Sequence, residues 1–111
     1  MRLRARVDDN QQQIVRVLRQ YPDCTVVSLA SIGRGTPDLL LGTRGQTFLL
    51  ELKSKGGKLN EAQVKWHGAW CGTPVVVLRS VDDAVKLMHN INEGIRHGIT
   101  PGKALPDDLD D

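Results

Sequence analysis

The sequence predicts an α/β domain in which helices flank a mixed β-sheet, in the order α-β-β-β-α-β-α. Three observations lead there. Apolar residues recur at helical spacing in separated stretches that begin at capping side chains. Short β-branched or leucine-rich runs lie between those stretches. One pair of runs is split by the tight-turn signal Arg44-Gly45, whereas the last run follows only after a helix, so antiparallel and crossover connections share one sheet. A chain of 111 residues supports one such domain and not two.

The first helix is expected from Asp9 to Gln20, with Ile14, Val15, Leu18 and Val17 as its apolar stripe. Asp8 or Asp9 can cap it, and Tyr21-Pro22 ends it, because a residue before proline avoids the helical region. Cys24 to Ala30 is β-branched and short, hence a strand. Ser31 to Pro37 is a glycine-rich loop, and Asp38 to Gly42 a short buried strand. Thr43 to Gln46 turns the chain, with Gly45 free to take positive φ, and Thr47 to Ser54 returns as the second arm of a hairpin. Lys55 to Lys58 is a loop. Asn60 then caps a helix reaching Trp70, which Gly72-Thr73-Pro74 closes. Pro74 to Ser80 is a valine-rich strand. Ser80 caps the last helix, with Asp83 near a capping-box position and Ala84, Val85, Leu87, Met88 and Ile91 as the apolar stripe. Asn92 to Gly94 ends it. The domain is taken as residues 1–98, with 99–111 a loosely held acidic tail.

Composition is that of an ordinary globular protein, with 40% apolar and 25% charged residues, which argues against a disordered chain. No run approaches the roughly 18 apolar residues that would span a membrane, and the charged start has no secretory pattern. Cys24 and Cys71 are far apart and form no CxxC, so free buried thiols are expected, not a disulfide. A soluble, cytoplasmic setting is expected. Net charge is +2, but four of the thirteen acids fall in the final DDLDD; without them the body carries fifteen basic against nine acidic side chains. That balance permits a polyanionic partner without demanding one.

Two departures from strand composition carry the chemistry. Asp38 opens an apolar strand directly after a proline, and Glu51 and Lys53 interrupt the run FLLELKS. Strand side chains alternate faces, so Glu51 and Lys53 share one face while Leu50 and Leu52 share the other. A turn at Arg44-Gly45 brings the start of the Asp38 strand to the end of the Glu51 strand. Apposed carboxylates repel unless a cation sits between them. Carboxylate and carbonyl oxygens suit Mg²⁺, which leaves positions open for a phosphate, and Lys53 supplies a point charge beside them. Alone, an acid and a lysine two apart on a strand are more often a solvated edge pair; the preceding Pro37-Asp38, the hairpin span and the glycine-rich loop reverse that balance in favour of a site.

Thr36-Pro37-Asp38 followed by Glu51-Leu52-Lys53 resembles the PD-(D/E)xK nuclease superfamily, which includes Holliday-junction resolvases and the VRR-NUC group. GTPDLLLG, FLLELKS, KLNEAQVKWH and VVVLRSVDDA resemble, in order, small bacterial and phage VRR-NUC-like proteins, and VDDNQQQIV is similar to their first helix. The resemblance spans Val7 to Met88. It implies a restriction-endonuclease-like core in which Asp38, Glu51 and the Leu52 carbonyl hold Mg²⁺ (Mn²⁺ substituting) and Lys53 is the catalytic lysine. It also implies that Gln63 on the second helix faces the site, and that a first-helix acid, here Asp8 or Asp9, is a further metal ligand.

The remaining candidates are weaker. Gly33-Arg34-Gly35 lacks the spacing of a nucleotide-binding loop, but Arg34 can contact a DNA backbone, as can Lys55 and Lys58 beside the site. His67 and Cys71, four apart, suit zinc geometrically; with no second ligand pair a zinc site is not expected. Trp66 and Trp70 share a helical face and are expected to pack on the sheet. The resulting expectation is a Mg²⁺-dependent DNA endonuclease, a homodimer selective for branched, junction or flap DNA. The alternatives are a DNA-binding module of the same fold with little or no cutting, and a restriction-type endonuclease.

Overall fold

The computed structural model describes residues 2–94, with side chains from Asn10 onward. The acidic tail and the side chain of Asp8 lie outside the described residues. The elements run in the expected order: α1 (Arg2–Arg19), β1 (Cys24–Ser28), β2 (Leu39–Thr43), β3 (Gln46–Leu52), α2 (Glu61–Ala69), β4 (Val76–Leu78) and α3 (Val81–Glu93). α1 is longer than expected. It begins at Arg2 rather than Asp9, which places Asp8 and Asp9 inside the helix instead of at its cap. The stretch RLRAR is rich in strong helix formers, and the stripe that signals the helix marks only its packed half. The ends of β1 and β4 fall short of Ala30 and of Ser80.

The strands form one sheet in the order β1-β2-β3-β4. β2 runs antiparallel to both of its neighbours, β1 and β3, and β4 lies parallel to β3. Register is set by the hairpin, where Leu39 opposes Leu50 and Leu41 opposes Phe48. Arg44 and Gly45 both take positive φ, 52° and 74°. That conformation matches the strand twist, and it is unusual for an arginine. Arg44 Nε also donates to Asn92 Oδ1 at 2.9 Å, tying the turn to the end of α3.

One face of the sheet makes the core. Leu39, Leu41, Phe48, Leu50, Leu52, Val76 and Leu78 alternate inward and meet Ile14 and Leu18 of α1 and Ala84, Leu87, Met88 and Ile91 of α3. The α3 residues repeat at helical spacing, as expected from the sequence. Ser80 Oγ accepts from the Asp83 N–H at 3.1 Å, and Gly94 ends the helix in the left-handed conformation. Asp83 does not close a capping box; its carboxylate accepts from the N–H of Arg79 instead, one residue before the cap.

The opposite face carries Val27, Leu40, Leu49, Glu51 and Val77. α2 lies on this side, because its Gln63 and His67 reach Glu51. It buries no residue of its own; Trp66 is half-buried, and Trp70, expected to pack on the sheet, is exposed. The two indoles stack on each other, ring centroids 5.0 Å apart, and Trp70 Nε1 donates to the Thr73 carbonyl at 2.8 Å. The cysteines are free, but neither is buried: Cys24 is half-buried and Cys71 exposed. No helix among the described residues is long and apolar enough to cross a membrane.

Candidate active site

The β2–β3 register explains how Asp38 and Glu51 meet. Continuing one step past Leu39–Leu50 places Asp38 opposite Glu51. The next step would pair Pro37 with Leu52, and proline has no N–H for the ladder. Asp38 fills half of that gap, since its Oδ2 accepts from the Leu52 N–H at 2.7 Å. The Leu52 carbonyl, on the same edge of β3 as its own N–H, receives nothing from proline. Pro37 therefore frees a carbonyl oxygen beside two carboxylates. The next residue turns to the other neighbour, with the Lys53 N–H donating to the Leu78 carbonyl of β4 at 3.0 Å.

Glu51 is wholly buried, which for a carboxylate is rare unless it is paired. Its Oε2 accepts from Gln63 Nε2 at 3.2 Å, and its Oε1 lies 3.0 Å from His67 Nε2. Burial, then the hydrogen bond and charge of Asp38, push the Glu51 pKa up to about 8, against the lowering effect of Lys53. Burial, followed by the Lys53 cation, holds His67 below its ordinary value. At neutral pH the protonated Glu51 carboxyl can thus donate to His67, and on ionisation the ring can donate to the carboxylate.

Gln63 is positioned by a reciprocal cap. Asn60 Oδ1 accepts from the Gln63 N–H, and Gln63 Oε1 accepts from the Asn60 N–H, both at 2.9 Å. With its oxygen committed to the cap, the amide can offer only N–H groups to Glu51. The glycine-rich loop sets the height of α2. Gly33, Arg34 and Gly35 all have positive φ, and a Cβ on Gly35 would fall 2.2 Å from the Ala62 carbonyl oxygen.

Of the residues expected from sequence, the structure brings together Asp38, Glu51, the Leu52 main chain, Lys53 and Gln63. Arg34, Lys55 and Lys58 are exposed, and among the described residues none contacts the carboxylates. The Lys55–Lys58 loop is nevertheless shaped from within: Arg79 Nη1 donates to the carbonyls of Ser54 at 3.0 Å and Gly57 at 2.6 Å. Sequence reasoning considers His67 only as a zinc partner of Cys71 and misses its contact with Glu51, as it misses the hold of Arg79 on the neighbouring loop. A signal existed for His67, four residues after Gln63 and hence on the same helical face. His67 and Cys71 do not converge, because Cys71 lies beyond α2 and its thiol donates to the Ala69 carbonyl at 3.5 Å. Among the described residues no group of three or more His, Cys, Asp or Glu side chains forms a metal-holding set.

A cavity of about 680 Å³ opens beside Asp38, between α1 and the sheet, and Gln12, Val15, Arg16 and Arg19 contribute its α1 wall. No described α1 residue in that wall is acidic. In comparisons with protein-family models, curated proteins and solved structures, nothing matches this chain.

Proposed function

We propose that the chain is a divalent-metal-dependent DNA endonuclease with a PD-(D/E)xK core, cutting phosphodiester bonds at Asp38, Glu51 and Lys53. One observation carries this reading: two carboxylates, one fully buried, face each other across neighbouring strands with a lysine alongside. Such a pair is costly unless protonated or bridged by a cation. The residues fit Mg²⁺. Asp38, Glu51 and the Leu52 carbonyl would hold it, all hard oxygen donors. A carboxylate oxygen has two lone pairs, so the hydrogen bonds from Gln63 and His67 leave capacity for ligation. When bound, the ion would activate water and stabilise charge on the phosphate. Lys53 would orient the attacking water and offset the developing charge. Gln63 and His67 would fix the Glu51 carboxylate, and His67 stands where it can take the proton that Glu51 releases.

Homodimer formation is supported by the row Val27–Leu40–Leu49 on the second face, in register across three strands, with Val27 44% exposed. A twofold pair of sites suits branched DNA.

Cleavage of duplex, single-stranded, flap and four-way DNA with Mg²⁺ or Mn²⁺ tests the proposal. Wild type should cut, while Asp38→Ala and Lys53→Ala should fold and fail to cut. Unchanged cutting by both variants overturns the assignment. A second reading is a DNA-binding module that does not cut. Engagement of both Glu51 oxygens by α2 side chains favours it. It predicts DNA binding with weak Mg²⁺ affinity and no products.

A further inference from the structure

The cavity beside Asp38 has a wall of unusual chemistry. Arg16 and Arg19 lie three apart on α1, with Gln12 one turn before Arg16 and Gln20 one turn after it, and Ser28 faces them from β1. The cavity, of about 680 Å³, opens to solvent, and Arg16 and Arg19 are exposed at its wall. Asp38 is the one acid in the described lining, and its Oδ2 is already committed to the Leu52 N–H. Among the described residues Arg16 makes no hydrogen bond or ion pair. Arg19 gives one donor to the Val26 carbonyl at 3.4 Å and keeps the rest of its guanidinium for the cavity. Two guanidiniums, amides and a hydroxyl outnumber the single carboxylate there, a donor set suited to an anion bearing several oxygens.

We infer that this cavity is a DNA phosphate subsite, in which Arg16 and Arg19 grip the backbone next to the phosphodiester presented to Asp38 and Glu51. The inference rests on the nuclease reading for the identity of the strand, and it adds that α1 is the arm that positions it. Asp38 belongs to both compartments, so a strand held by α1 arrives at the carboxylates without a further element.

The test is the salt dependence of binding to a fluorescent duplex oligonucleotide, measured on the full chain in EDTA so that no cutting occurs. Each lost phosphate contact lowers the slope of log affinity against log salt by about 0.9. Arg16→Gln should therefore lower it by about 0.9 and Arg16→Gln/Arg19→Gln by about 1.8. Between roughly 50 and 200 mM salt the double variant should lose affinity about twelvefold less steeply than wild type. Lys86→Gln on α3, outside the cavity, removes the same charge and should leave the slope unchanged. Arg16→Gln removes no described contact, so it stays informative if the double variant unfolds. A wild-type slope in Arg16→Gln, in protein that cuts DNA normally, overturns the subsite and leaves the nuclease intact. The predicted fall in slope, in protein that never cuts, supports the subsite and overturns the nuclease.

Discussion

Glu51→Gln probes the site most directly, because it leaves size unchanged and removes one titration. The Glu51 carboxyl has an ordinary value of 4.5 and is pushed up to about 8 by burial and by Asp38, with Lys53 opposing. Between those values the folded protein keeps a proton that the unfolded chain has released. The stability this gives is fully present below about pH 4.5 and is lost as pH rises through about 8. At about 1.4 kcal/mol per pH unit, the whole interval is on the order of 5 kcal/mol for the coupled Asp38–Glu51 pair. That is a large share of the roughly 5–15 kcal/mol that holds a small domain folded. His67, held below 6.5, contributes an opposite slope, but only under about pH 6.5, where stability is lost as the pH falls towards its folded value. The window from about pH 6.5 to 8 therefore isolates the carboxyl pair. Urea unfolding in EDTA across that window should show wild type losing about 2 kcal/mol relative to Glu51→Gln. Added Mg²⁺ should restore most of the wild-type loss and do little for the variant. Parallel pH profiles for the two proteins would refute the argument that Glu51 is held protonated by its surroundings.

Further outcomes follow from the loops that support the site. Gly35→Ala combines positive φ with a collision on the Ala62 carbonyl. It should cost several kcal/mol, against roughly 1 kcal/mol for Gly33→Ala, whose Cβ meets nothing, as chemical unfolding of the two can show. Asn60→Ala removes the reciprocal cap and should cost about 1 kcal/mol. It should also lower cleavage by releasing Gln63, whereas Asn60→Ser should keep most of both. Arg79→Ala should destabilise by roughly 1–3 kcal/mol, through two lost charge-assisted hydrogen bonds. Faster proteolysis at Lys55 or Lys58, mapped by mass spectrometry, is the expected signature.

Much of this architecture was readable because local chemistry admits few answers. Asn60 and Ser80 are capping side chains at the entrances to α2 and α3, and each accepts the expected N–H. The alternation in FLLELKS placed Leu50 and Leu52 in the core and Glu51 on the other face, as observed. The unreadable parts depend on distant partners. Where α1 begins is hidden because apolar periodicity reports only the turns that pack. A shared helical face points Trp66 and Trp70 at the sheet, yet it is Gln63 and His67 that reach the buried Glu51 carboxyl. Arg79 sits just beyond a valine strand and shapes a loop by holding carbonyls 25 and 22 residues earlier in the chain. No local pattern announces such a contact.

The hairpin register has a consequence for how the chain finds its fold. Strand side chains repeat every two residues, so a slip of one position would exchange the two faces of β3. Leu50 and Leu52 would then face outward, and Glu51 and Lys53 would enter the oily layer under α1 and α3, where neither has a partner. With leucine at 49, 50 and 52, and at 39, 40 and 41, greasiness alone distinguishes the two pairings poorly. The acid and the lysine make the shifted pairing expensive, so they mark the native register during folding. Apolar replacements at both positions would erase that mark, leaving a stickier hairpin with two competing alignments.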